Sequence, residues 1–282
     1  MISGNLFVIC HLSYSIFESN DYFQAIFDAM FLRSAGILFK IISFLLVSCS
    51  VYAQDFGKEV IRQSLAVASF SSDLELSPKW SLNVEVQERI YTDPVRQSQM
   101  FCKSQLGFEP FKNFSFRNGI AYYLNSPGDP EFSSSLKVPE IRLNHDLGYS
   151  HNLRSVHLSH RYRMEERFIH KKQDNSLIDG YRFVERISYM LALECKIINS
   201  KDHDHDVYLK LSEGIYVNTH KGILFNSFDQ NRFYAGLNYQ LIKNLTVELG
   251  YINLYQQRIS GVEYLNRNIA SLGINHSLKL YH

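Results

Sequence analysis

A chain of 282 residues with 45% hydrophobic content holds enough apolar material for one large domain or two ordinary ones. Lys plus Arg (29) nearly cancels Asp plus Glu (28), which removes the charge footprint of a nucleic-acid binder. No stretch of about 18 apolar residues follows residue 53, which argues against a helical membrane protein, while 20 Phe and 18 Tyr beside a single Trp suit a chain with aromatic belts.

In chain order, residues 31–53 come first. Arg33 and Lys40 precede an apolar stretch from Ile41 to Val47, and Val51-Tyr52-Ala53 ends in a small residue before Gln54. This is the layout of a cleaved secretory signal beginning at Met30, with residues 1–29 as an upstream extension from a misassigned start. A rival reading takes Leu46-Val47-Ser48-Cys49 as a lipoprotein box with a lipidated Cys49. Either way the chain is expected to be exported. Cys10 and Cys49 fall in the segments to be lost, and Cys102 and Cys195 read as small apolar residues rather than a disulfide. Residues 54–79 include the extended, apolar run 61–71, which reads as a periplasmic lead-in, a plug-like segment or an extra strand.

From residue 80 a two-residue alternation takes over. In Leu245, Val247, Leu249 and Tyr251 the odd positions are apolar, and Thr246, Glu248 and Gly250 between them are polar or small. A pleated strand sends successive side chains to opposite faces, so the pattern separates a greasy face from a wet one. It recurs over 80–91, 99–108, 113–124, 138–149, 153–168, 180–197, 206–217, 230–241, 245–255 and 267–280. Tight turns near 109–112, 150–152 and 242–244 alternate with longer connections near 125–137, 169–179, 218–229 and 256–266, with 198–205 counted as short. The expected fold is all-β: an antiparallel up-and-down transmembrane β-barrel of about ten strands, twelve being the alternative, with both termini in the periplasm.

The alternation assigns the two faces. Leu82, Val84, Val86, Ile120, Tyr122, Leu124, Ile141, Leu143, Leu147, Leu191, Leu193, Phe233, Ala235, Leu237, Tyr239, Leu272, Ile274 and Leu278 are expected to meet lipid. The lumen is expected to hold a charge network of Glu85, Arg89, Arg117, Arg142, Arg161, Arg163, Glu165, Arg167, Arg182, Glu194, Arg232 and Glu248, with Lys103, Asp146 and Arg186 on the same face. Arg161, Arg163, Glu165 and Arg167 form one inward row spaced about 7 Å apart. Since ten strands enclose little more than their own side chains, such a network braces and fills the lumen; its functional counterpart is a narrow basic pathway for small polar solutes. His160, Glu166, Glu185 and Glu213 break the pattern, Glu166 and Glu185 being expected near the extracellular rim.

Other chemistry is sparse. The turn Lys201-Asp202-His203-Asp204-His205-Asp206 lacks the spacing of a metal clamp and reads as solvated. His157 and Ser159 point inward and His160 outward, with no nucleophile elbow, phosphate loop or paired-cysteine motif. No catalysis, cofactor or metal is therefore expected. Two rival functions stay open: a soluble or periplasmic barrel that binds a ligand, and an outer-membrane lipid-modifying enzyme.

Several runs are similar to a known family. Lys79-Trp80 opens a strand ending Glu88-Arg89; Leu158 to Phe168 holds Arg-Tyr-Arg-Met-Glu-Glu-Arg-Phe; Tyr181-Arg182 follows; and Phe228 to Leu237, with its Asp-Gln-Asn-Arg run, precedes Glu248-Leu249-Gly250-Tyr251. In these the chain resembles the exported barrels of the domain of unknown function 2490 family, over nearly all of 60–282. The resemblance implies an outer-membrane barrel of a Gram-negative bacterium and no activity. The expected partners are outer-membrane lipid, lipopolysaccharide and the barrel-assembly machinery, which reads a terminal aromatic residue. Here that residue, Tyr281, is followed by His282, and the 29-residue extension is a second departure.

Overall fold

The computed structural model describes residues 58–199, 205–219, 227–258 and 260–281. The predicted signal region, the upstream extension, Cys49 and most of the Asp-His turn lie outside them. Eleven strands follow in order: β1 (Glu59–Glu75), β2 (Trp80–Thr92), β3 (Val95–Phe111), β4 (Phe114–Asn125), β5 (Val138–Leu153), β6 (Val156–Gln173), β7 (Ser176–Ile198), β8 (Val207–Asn218), β9 (Phe228–Ile242), β10 (Leu245–Gln257) and β11 (Glu263–Lys279). They close into one barrel in which each strand pairs with its sequence neighbours and β1 pairs with β11.

The closure corrects two expectations. Residues 59–75 take a full place in the wall, so the strand count is eleven rather than ten or twelve. With an odd count the first and last strands point the same way, and β1 pairs β11 in parallel from Glu59 beside Glu263 to Glu75 beside Lys279. The barrel therefore has a loop end, where β4 ends and β5 begins, β8 ends and β9 begins, and β10 ends and β11 begins, and a turn end, carrying 112–113, 154–155 and 243–244. Strand β1 begins at the loop end and β11 finishes at the turn end, so the two ends of the barrel chain do not share a side as expected.

The expected long connection 169–179 is also absent. Strands β6 and β7 run on to a two-residue turn at Asp174-Asn175. Asp174 there adopts φ 51°, as Asn113 does at φ 74° in the β3–β4 turn, the left-handed backbone that two-residue hairpins need and that Asp and Asn tolerate best after Gly. The hairpin outreaches its neighbours, since β8 stops at Asn218 opposite Arg186. Both faces of this stretch carry polar residues, which is why it reads as a loop.

Facing follows the alternation. Leu249, Ile120 and Leu237 are exposed on the outside, whereas Glu140, Arg142, Asp146, Glu165 and Arg186 are buried inside. A 17-residue strand is about 56 Å long and, tilted by roughly 40°, rises about 43 Å. Along the β10–β11–β1 seam near the loop end the polarity inverts: Leu65, Val67, Tyr91, Tyr234, Ile252, Leu254 and Ile269 pack inward. Outside, the Tyr251 hydroxyl donates to Asn268 Oδ1 at 2.6 Å and Asn253 Nδ2 to Asn266 Oδ1 at 2.8 Å. The Tyr234 ring lies over the paired Gly236 and Gly250, where any Cβ would strike it, so these glycines let an aromatic side chain lie flat on the wall.

Candidate functional site

The lumen gathers a dense set of paired charges. Strands β5, β6 and β7 carry its densest part because their inward rows are in register: Arg142 faces Arg167, Asp146 faces Arg163, and Glu165 faces Arg186. Glu140, 1% exposed, accepts from Arg142 Nε and Arg167 Nε, both at 2.6 Å, and from Asn125 Nδ2 at 2.9 Å. Glu165 lies 2.6 Å from Arg186 and 3.7 Å from Arg142. Arg186 reaches on to Asp229 at 2.6 Å, and a register shift beside Phe228 turns that carboxylate inward. Arg163 forks onto both oxygens of Asp146 at 2.6 Å each, the bidentate geometry that makes such pairs directional. Lys103 meets Glu85 at 2.5 Å and Lys210 meets Glu248 at 3.5 Å.

Other expected members take other places. Arg89 donates to Gln87 Oε1 at 2.8 Å, and Glu194 accepts from Asn238 Nδ2 at 3.4 Å. Arg117 lines the turn-end half of the lumen. Arg182 corrects the list: it shares the inward parity of Arg186 but stands exposed on the part of β7 above its neighbours. Period two fixes the face of a residue and not its height. The expected set omitted Glu140 and Asp229. Glu140 has the same parity as Arg142 two residues on, so a signal existed; Asp229 depends on a bulge that no alternation announces.

Two cavities divide the lumen. One of about 450 Å³ opens toward the loop end and one of about 830 Å³ toward the turn end. They share Glu85, Gln87, Lys103, Arg161, Arg163, Tyr216 and Arg232, which form a throat with four cationic side chains against one carboxylate. At the loop end residues 126–137 fold over the mouth. Gln63 donates to the Gly128 carbonyl at 2.7 Å and the Tyr91 hydroxyl to the Pro127 carbonyl at 3.2 Å, while Arg96 donates to the carbonyls of Pro130, Phe132 and Ser134.

The remaining motifs do not assemble. His157 Nδ1 lies 2.7 Å from Asn152 Oδ1, and Ser159 pairs across the strands with Ser150 and Ala192. His160 stacks outside between Tyr149 and Tyr189. Glu166 and Glu185 face each other at the level where β8 ends, and Glu213 accepts from Asn231 on the outer face. Of the Asp-His turn only its end is described, where His205 Nδ1 lies 2.7 Å from the Tyr239 hydroxyl and Lys196 lies 2.6 Å from Asp206. Cys102 and Cys195 are free thiols.

Among known proteins, the family described as protein of unknown function (DUF2490) matches residues 68–266. No curated protein matches the sequence. Two solved structures are similar at low identity. The NanC porin is 12% identical, with 70% of this chain and 86% of that one covered and a TM-score of 0.41. LpxR from Salmonella typhimurium is 9% identical, with 71% and 83% covered and a TM-score of 0.39. Both lie too far away to bear on function.

Proposed function

The chain belongs to the DUF2490 family of proteins of unknown function, and from that premise we propose an integral outer-membrane β-barrel whose charged lumen braces the wall and leaves a narrow pathway for small polar solutes. The observation that carries this reading is the division of faces around a closed wall: Leu249 is 62% exposed and Ile120 53% exposed on the outside, while the ion pairs lie within. An outer surface carrying so many exposed apolar side chains is costly in water and favourable in lipid. The outward polar groups near the loop end, among them Glu185, Glu213 and Asn231, would meet lipopolysaccharide headgroups. The C-terminal strand would present Leu278 and Tyr281 to the barrel-assembly machinery.

Fractionation tests the membrane assignment. The protein should enter the outer-membrane fraction, need detergent for extraction, and shift in gel mobility on heating; extraction in plain buffer would favour the soluble ligand-binding barrel. In planar bilayers the purified protein should conduct small ions, with a reversal potential in a salt gradient that favours anions. Arg163→Ala should weaken that preference, because it frees Asp146 toward the throat; a silent bilayer rejects the pathway.

The parallel seam gives a topological test. With the loop end outside the cell, a cysteine replacing Lys58 should react with a membrane-impermeant maleimide on intact cells, and one replacing Tyr281 should react only after the outer membrane is opened. Equal labelling of both on intact cells contradicts the assignment of ends.

A further inference from the structure

We propose that Arg161 and Arg232 together form a binding site for one small oxyanion, a phosphate or carboxylate group, at the throat of the lumen. The site rests on the reading that water reaches the lumen, since an anion must enter through one of the two cavities.

Among the described residues, neither side chain has a carboxylate within ion-pair distance, unlike Arg142, Arg163, Arg167 and Arg186 around them. Among the described residues the one polar contact of Arg161 is a weak one, from a guanidinium nitrogen to Met190 Sδ at 3.6 Å, and its Nε is buried without a partner there. A buried donor without an acceptor needs an explanation, and a ligand oxygen supplies one. Arg232 lines both cavities and makes no side-chain hydrogen bond among the described residues.

The register places the two arginines on one row. Arg161 on β6 lies opposite Met190 on β7, Met190 opposite Gly214 on β8, and Gly214 opposite Arg232 on β9. Three strand spacings of about 4.8 Å put their backbones roughly 14 Å apart along a curved wall, within the joint reach of two arginines converging on one anion. Gly214, between them, contributes no side chain of its own to the row. Its Cβ position lies 3.3 Å from the Tyr216 ring and 3.7 Å from Met190, so a larger residue there pushes against both side chains beside the two arginines. Guanidinium forks match the planar or tetrahedral oxygens of carboxylate and phosphate.

Inorganic phosphate and acetate are the probes, added to the full chain in detergent at constant ionic strength. Each should raise the temperature of the heat-induced mobility shift over chloride, the stronger ligand naming the favoured class. R161Q and R232Q should each weaken the apparent affinity by about tenfold or more, and G214L should do so without removing a charge. R117Q, which lines only the turn-end cavity, should leave it unchanged. Wild-type protein that conducts in bilayers yet shows no shift with either probe overturns the site and leaves the pathway standing. A shift lost in R161Q without any conductance upholds the site and removes the pathway. A shift unchanged in R161Q, R232Q and G214L also overturns it.

Discussion

Replacing Leu249 by Arg should destabilise the folded barrel by about 2–4 kcal/mol, the cost of placing a charge near the middle of the lipid-facing band. Leu249 pairs with Leu237 on one side and Leu272 on the other, and Leu272 pairs with Ala68, midway along β1. It thus sits among apolar neighbours on the outer wall. Thr246, three positions earlier, faces inward, and Arg at that site should cost under about 1 kcal/mol because a polar lumen can solvate it. Urea titration of both variants in lipid vesicles measures the difference. Equal costs would falsify the assignment of faces.

Glu140→Ala should cost about 3–5 kcal/mol, the range for removing one partner of a buried ion pair and leaving the other uncompensated. Two guanidinium groups, Arg142 and Arg167, share this one carboxylate, and its side chain is only 2% exposed. If water filled the lumen at this level, both arginines would be rehydrated and the loss would fall toward the 0–1 kcal/mol of an exposed pair. The size of the effect therefore decides whether the network is a dry part of the wall or a lining of a wet channel. Glu140→Leu combined with Arg142→Leu and Arg167→Leu should recover much of the loss if the site is dry, because apolar side chains of similar volume can replace a buried charge cluster. No recovery indicates a wet lining.

Much of this was readable in the sequence, and the misses have physical reasons. The alternation of β10 is plain because Val247, Leu249 and Tyr251 face outward while Glu248 faces the lumen. Strand β1 is obscure because its inward residues include the apolar Leu65 and Val67 while Ser64, Ala66 and Ala68 face outward. That inversion left the segment open between a lead-in, a plug and an extra strand and, with it, the direction of the first strand. Arg182 was misplaced for a different reason, since parity says nothing of height and the β6–β7 hairpin outruns the wall. The site was legible as a row of arginines on one face, but which of them go without a carboxylate depends on pairings between strands that are not adjacent in sequence, such as that of Arg186 on β7 with Asp229 on β9.

The parallel seam also bears on the circumference of the barrel. Without β1, the strands from Trp80 to Lys279 number ten and alternate strictly, so that β2 and β11 run in opposite directions and already satisfy the condition for closing upon each other. Strand β1 is then an added stave: it enlarges the ring by one strand spacing, and barrel diameter grows about linearly with strand number. Its Leu65 and Val67 fill part of the width that it opens near the loop end, while Ser69 and Ser71 leave the turn-end half wide. One segment thus sets the calibre of the lumen differently at its two ends.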